Sequence, residues 1–287
     1  MNRRQFLGAG ALGTLSWASF PRHLFAGETR KYATDRIALG PRKIEMSRLA
    51  MGTGTHGTNG SSNQTRQLGK QGFAELFRAA YDQGVTFWDG ADQYGSHTYM
   101  REALKTIPRD KVAILTKSNA ATAERMKADL DRFRRELGTD YIDIVLLHCM
   151  TSPQWNVELK GCMDVISEAR ERGVVRSHGV SCHSLGALRT AAEEPWVEVE
   201  FARLNPAQRH MDGTPDTIIS VLRQMKANGK GVVGMKILGE GDLRNHVAEC
   251  LQFALAQDCL DGFTIGSENR AEMEDLLRQI PEASKRG

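Results

Sequence analysis

Four polar residues of this chain could together move a proton: Asp89, Tyr94, Lys117 and His148. A phenol is a poor acid at neutral pH, because its reference pKa is about 10. A nearby ammonium favours the phenolate and draws that value down toward the working range. A carboxylate holds the ammonium in place, and an imidazole can hydrogen-bond a substrate oxygen and orient it. The set makes a proton donor beside a carbonyl, matched to hydride delivery from a nicotinamide. Taken one at a time, each residue has an ordinary explanation. Asp89 could cap a turn, Lys117 could be a solvated loop charge, His148 a satisfied rim histidine and Tyr94 part of the core. Their shared placement argues for chemistry.

That placement comes from the elements around them. Asp89 follows Val85-Thr86-Phe87-Trp88, Lys117 follows Ile114-Leu115-Thr116, and His148 follows Asp143-Ile144-Val145-Leu146-Leu147. Each apolar run reads as a strand covered on both faces. From Met46 onward such runs alternate with helical patterns. The predicted strands are 49–52, 85–88, 112–115, 141–147, 174–180, 197–204, 232–237 and 262–265. The predicted helices are 73–83, 98–105, 123–137, 158–172, 185–192, 215–228, 243–256 and 271–279. Met126, Leu130, Phe133 and Leu137 fall on one helical face, and Gly138 stops that helix. Eight strand–helix units in a row predict an α/β fold, the (β/α)8 TIM barrel, with a doubly wound sheet as the alternative. In a barrel the ends of the strands form one rim, and the four residues stand on it. The soft stretch Gly52–Gly69 would lie over the mouth.

With the rim drawn, the sequence resembles the aldo-keto reductase superfamily, over roughly Lys43 to Ile280. The most specific signals are Asp89-x-x-x-x-Tyr94-Gly95, Lys117 after its strand and His148 after its strand. The resemblance implies that Tyr94 is the general acid/base, Lys117 lowers its pKa, Asp89 pairs with Lys117 and His148 orients the carbonyl. It also implies NAD(P)H held extended across the barrel mouth. Ser181, Asn205, Met235, Lys236, Gly266, Ser267, Asn269 and Arg270 are the implied cofactor contacts. The last of these stand near a helix start, where backbone N–H groups favour anions.

Several positions depart from the family pattern. Cys182 stands where an Asn usually follows the serine, and Phe201 or Arg203 stands nearest the usual Gln. Met235 replaces a stacking aromatic, and a thioether can still pack on a ring face. Glu272 falls where a basic residue commonly meets a 2′-phosphate, and Arg270 could substitute for it. NAD and NADP therefore both stay open. The short segment after the last predicted helix and the short loop Cys149–Asn156 predict a shallow, open site. These departures motivate an alternative, an exported barrel that has lost hydride transfer and serves as a binding or scaffold protein.

The bulk numbers fit one domain. The chain has 287 residues, 40% hydrophobic and 25% charged, with a net charge of +3. Both signs are interspersed, so nucleic acid is not implied as a partner. The five cysteines include no C-x-x-C pair, which argues against a metal or iron–sulfur site.

The N-terminus carries a different message. Gly8, Gly10 and Gly13 spell G-x-G-x-x-G. That fingerprint works only between a strand and a helix. The preceding seven residues include Arg3-Arg4 and leave no room for a strand. Arg3-Arg4-Gln5-Phe6-Leu7 followed by an apolar, glycine-rich run is instead a twin-arginine signal pattern, with a cut expected after Ala26. The expected organisation is a signal peptide over 1–26, a lead-in over 27–42 and the barrel over 43–287. The expected partners are the twin-arginine export machinery and a small carbonyl or alcohol substrate. The expected location is the periplasm or another exported compartment, with no stable membrane insertion after cleavage.

Overall fold

The computed structural model describes residues 30–284. The signal pattern and its glycines lie outside the described residues. Ten strands are named here in chain order. A hairpin comes first, β1 (Arg36–Leu39) paired antiparallel with β2 (Ile44–Ser47). Then follow β3 (Leu49–Gly52), β4 (Phe87–Asp89), β5 (Ala113–Ser118), β6 (Ile142–Met150) and β7 (Val175–Cys182). The last three are β8 (Val199–Arg203), β9 (Gly231–Met235) and β10 (Gly262–Gly266). Strands β3 to β10 close into one parallel barrel, with β10 pairing both β3 and β9. The expected barrel is therefore the observed fold.

Alternation along the strands explains both the core and the rim. Phe87, Leu115, Ile144, Leu146, Phe201 and Val233 pack together inside the barrel. Their neighbours Trp88, Ile114, Val145, Leu147 and Val232 face the surrounding helices. Side chains two residues apart share a face. The inward row therefore continues from Phe87 to Asp89, from Leu115 to Lys117, from Leu146 to His148 and from Phe201 to Arg203. At the C-terminal rim the same row changes from apolar to polar.

The helices are α1 (Asn63–Asp82), α2 (His97–Leu104), α3 (Ala123–Leu137), α4 (Trp155–Glu158) and α5 (Lys160–Glu171). They continue with α6 (Leu185–Glu193), α7 (Pro215–Ala227), α8 (Val247–Ala256) and α9 (Arg270–Ala283). Local chemistry sets their ends. Thr122 caps α3 by accepting from the Arg125 N–H, and Gly138 ends it with a positive φ of 68°. Thr214 caps α7, and Pro215 takes its first turn, where no N–H is missed.

The structure differs from the expectations in four places. The last third or so of the stretch read as a soft loop over 52–69 is helix, because Ser62 and Thr65 form a reciprocal cap that starts α1 at Asn63. Gly69, with φ 60° and ψ −179°, bends that helix. The single helix expected over 158–172 is α4 followed by α5, meeting at Leu159. The helix expected from Leu243 begins at Val247, since Gly239, Glu240 and Gly241 all take positive φ. Finally, the hairpin β1–β2 begins seven residues before the expected barrel start at 43. Leu39, Ile44 and Met46 are buried against the barrel interior. Leu39 and Gly40 abut Gly231, the first residue of β9, so the hairpin plugs the end opposite the polar rim. No described helix is long and apolar enough to cross a membrane.

Candidate active site

Asp89, Lys117 and His148 converge at the rim, all nearly buried. Asp89 pairs with Lys117 through Oδ1, and Lys117 Nζ also donates to the Gly90 carbonyl at 2.9 Å. The other Asp89 oxygen accepts from Thr264 Oγ1 on β10 at 2.8 Å. The carboxylate thus ties three strands together and leaves the ammonium one fixed position. Lys117 Nζ lies 5.2 Å from the centroids of both the Tyr94 and Phe201 rings.

Tyr94 closes a short 3-10 turn, Asp92–Tyr94, that follows β4. Gly95 ends the turn at φ 63°. A Cβ there would sit 2.0 Å from the Gly60 carbonyl oxygen, so glycine is required. The Tyr94 ring stands edge-on to His148, with centroids 5.7 Å apart and planes at 85°. Its faces are covered by backbone. A Cβ on Gly54 or Gly57 would fall 2.4 or 2.3 Å from the ring. The loop between β3 and α1 therefore packs directly on the phenol, and only glycine permits it.

Burial governs the titration here. It pushes the Tyr94 phenol well above its usual value, and the Asp89 carboxylate pushes the same way. The expected net lowering by Lys117 is not what the structure gives. The ammonium is already committed to Asp89 and Gly90. Burial also holds His148 well below the usual imidazole value, with Lys117 adding to the effect. The histidine is therefore neutral at pH 7. Its Nδ1 lies 3.2 Å from Asn119 Oδ1, which fixes the ring.

A cavity of about 510 Å³ runs from Asp89, Tyr94 and Lys117 to the start of α9. That volume suits a small-molecule ligand. Of the implied cofactor residues, Met235, Lys236, Gly266 and Ser267 line it. Ser181, Asn205, Asn269 and Arg270 are held elsewhere. Ser181 Oγ accepts from the Cys149 N–H at 3.0 Å. The Asn205 amide is spent on the loop below it, accepting from the Ala207 and Arg209 N–H groups and donating to the Arg209 and Lys236 carbonyls. Asn269 caps α9, and Arg270 pairs with Glu274 on the surface. Ser267 is different. The residue lines the cavity, and its hydroxyl is buried with no partner among the described residues. A buried orphan hydroxyl beside a cavity is a polar group that a bound ligand could satisfy.

The positions that depart from the family pattern are accounted for. Cys182 faces outward and donates through Sγ to Glu200, a fully buried carboxyl that burial pushes well above its usual range. Phe201 packs beneath Lys117, while Arg203 pairs with the buried Asp212. Glu272 lines the far end of the cavity together with Glu268 and Asp275, and Arg244 is the basic residue there. The sequence reading missed Thr264, Asn119, Glu268 and Asp275. Thr264 and Glu268 flank the segment Ile265-Gly266-Ser267, which was already marked, so proximity was the available signal. Asn119 and Asp275 carried none.

Residues 48–249 match the model of the Aldo/keto reductase family. The chain is 25% identical over 200 residues to an NADH-specific methylglyoxal reductase of Escherichia coli, covering 62% of this chain and 61% of that one. It is 29% identical over 208 residues to a 6-dehydroglucose reductase of Agrobacterium fabrum, covering 65% and 62%. The chain spans about half to three fifths of the length of the curated relatives it matches. An aldo-keto reductase structure from Bacillus halodurans superposes with a TM-score of 0.69 at 16% identity, over 88% of this chain and 96% of that one. The family match covers most of the barrel and all four rim residues, and on that ground the chain belongs to the aldo/keto reductase family.

Proposed function

We propose that this chain is an oxidoreductase that interconverts a carbonyl and an alcohol, with Tyr94 as proton donor and NAD(P)H as hydride source. The observation that carries the reading is that Asp89, Tyr94 and Lys117 line one end of a ligand-sized cavity, with His148 edge-on to Tyr94 and the buried, unpaired hydroxyl of the lining residue Ser267 close by. The nicotinamide supplies hydride when bound. Met235, Lys236, Gly266 and Ser267 would hold the cofactor, since they line the cavity.

The residues of the chain do the rest. Tyr94 holds a proton at Oη, because its raised pKa keeps the phenol neutral at physiological pH. That is the form needed to protonate a carbonyl oxygen as negative charge develops on it. Lys117 sets positive charge beside the ring, stabilising the phenolate left behind. Asp89 keeps that ammonium in place, and neutral His148 orients the substrate oxygen. The loop carrying Gly54 and Gly57 packs against the phenol ring and fixes it at the cavity wall.

We further propose NADH over NADPH. With the nicotinamide at Tyr94, the other end of an extended dinucleotide meets Glu268, Glu272 and Asp275. Glu272 accepts from the Glu268 N–H and from Asn269 Nδ2, both at 2.8 Å, so the protein's own carboxylate already occupies the start of α9. A ribose 2′-hydroxyl can donate to a carboxylate, whereas a 2′-phosphate is repelled by it. The name of the NADH-specific relative supports the same reading.

Export of the folded chain through the twin-arginine pathway is also proposed, on Arg3-Arg4 and the apolar run behind them. Replacing both arginines by lysine should retain the protein in the cytoplasm. Calorimetric titration with NADH and NADPH tests the enzymatic reading. Binding of NADH is expected, and no binding of either nucleotide would overturn it.

A further inference from the structure

Outside the barrel, the Arg132 guanidinium connects the flanks of Tyr94 and Lys117, and the more exposed Arg125 adds a contact to Asp129 at 2.8 Å and a long one to Asp92 at 4.0 Å. Arg132 lies on α3, with Asp129 and Glu136 three and four residues away on the same face. It grips Asp92 with both arms, at 2.7 and 2.8 Å. Asp92 opens the three-residue turn that Tyr94 closes. A bidentate fork of this kind fixes orientation as well as distance.

The same guanidinium holds the strand of Lys117 from both sides. Arg132 donates to Asp129 Oδ1 at 2.8 Å, and Asp129 Oδ2 accepts from Ser118 Oγ at 2.8 Å. Arg132 also donates to Glu136 Oε1 at 3.1 Å, and Glu136 Oε2 meets His97 Nδ1 at 2.8 Å. The other ring nitrogen of His97 lies 2.6 Å from Thr116 Oγ1. Thr116 and Ser118 are the residues on either side of Lys117. Because alternation points Lys117 inward, these two neighbours point out toward α3.

Asp92, His97 and Glu136 present ligand atoms within 4.8 Å of one another, as a metal site would. Arg132 already takes oxygens of both carboxylates, and Thr116 takes the second histidine nitrogen. The cluster is complete with a guanidinium at its centre.

We infer that Arg132 is a positioning residue that sets the Tyr94 turn against the Lys117 strand and so fixes the phenol beside the ammonium. The inference rests on the proposed proton-donor role of Tyr94. A shift of about 1 Å between reacting groups can cost on the order of a hundredfold in rate. Loss of this link should therefore act on turnover and spare ground-state binding.

The test is steady-state reduction of methylglyoxal with NADH, alongside NADH titration and thermal unfolding, for Arg132→Gln, Asp92→Asn and Ser118→Ala. Arg134→Gln is the control, since it removes the Asp131 pair on the same helix. Arg132→Gln should lower kcat about tenfold to a hundredfold, with KM and the NADH Kd within about threefold. Asp92→Asn should reproduce that loss, Ser118→Ala should show a smaller one, and Arg134→Gln should keep kcat within about twofold of wild type. A folded Arg132→Gln with wild-type kcat overturns the inference while leaving the proposed function standing. If Arg132→Gln does not fold, Asp92→Asn and Ser118→Ala decide, and wild-type kcat in both overturns it. A wild-type chain that binds neither nucleotide overturns both readings together.

Discussion

At the scale of the residue, the account turns on the protonation of Tyr94. Its ring is wedged between Gly54, Gly57 and His148, and the charges nearest it are Lys117, Asp89 and Glu240, with the Cys149 thiol also close. Lys117 favours the phenolate, but burial and Asp89 oppose it and win. The proton-donating form should then persist beyond pH 10, where an ordinary phenol is half ionised. We expect kcat for carbonyl reduction to hold from pH 7 to pH 10 and to fall only above that. Alcohol oxidation, which needs the phenolate, should rise over the same alkaline range. A stopped assay across pH 6–11 checks this, and a reductive kcat halved by pH 8 contradicts it.

At the scale of the element, the proposed preference for NADH rests on the start of α9. Glu272 sits at the third helical position and folds back onto the Glu268 N–H, so the amides that would receive a phosphate face a carboxylate. Glu272→Lys should bring the NADPH Kd down about tenfold or more toward that of NADH. One charge reversed at about 4 Å is worth at least ~1 kcal/mol even fully hydrated. An unchanged NADPH Kd would show that the far end of the cavity is not the adenosine site. The same element shows what was legible. The apolar runs placed every barrel strand, because burial on both faces leaves a continuous signal, and glycine stops such as Gly138 placed most helix ends. Strand alternation then put Asp89, Lys117 and His148 on the inward row. The contact of Thr264 with Asp89, far apart in the chain, depends on tertiary closure, and the local pair Ser62–Thr65 that starts α1 early depends on cap geometry. Neither is carried by periodicity. The commitment of Ser181 to the Cys149 N–H on β6, and of Asn205 to the loop that follows it, was hidden for the same reason.

At the scale of the whole molecule, the barrel buries several histidines neutral. Burial lowers His178 and His183 to about 4 and holds His148 well below its usual value. A histidine with a depressed folded pKa is fully tolerated above about 6.5. Below that the unfolded chain takes the proton first, so stability falls until the folded value is reached. Glu200 works in the opposite sense, since burial raises its folded pKa and its cost diminishes as pH drops. Glu136, Glu198 and Glu240, held below the usual carboxylate range, also lose stability as the pH falls and so reinforce the histidines against Glu200. The thermal midpoint should decline between pH 6.5 and pH 4, and a midpoint that holds or rises through that window contradicts this. The hairpin β1–β2 serves the same closed architecture, plugging the end of the barrel that carries no chemistry.

The central claim is that Tyr94 delivers the proton while the chain holds a nicotinamide nucleotide. Tyr94→Phe removes one hydroxyl from a ring already fixed by Gly54, Gly57 and His148, so the fold and the cavity wall should be kept. The direct measurement pairs NADH titration with single-turnover oxidation of bound NADH by a small carbonyl compound that the wild-type chain reduces, for wild type and Tyr94→Phe. The account predicts an unchanged NADH Kd and a loss of on the order of a hundredfold or more in the rate of NADH oxidation, in line with removal of a positioned general acid. A Tyr94→Phe chain that oxidises NADH at the wild-type rate would contradict it.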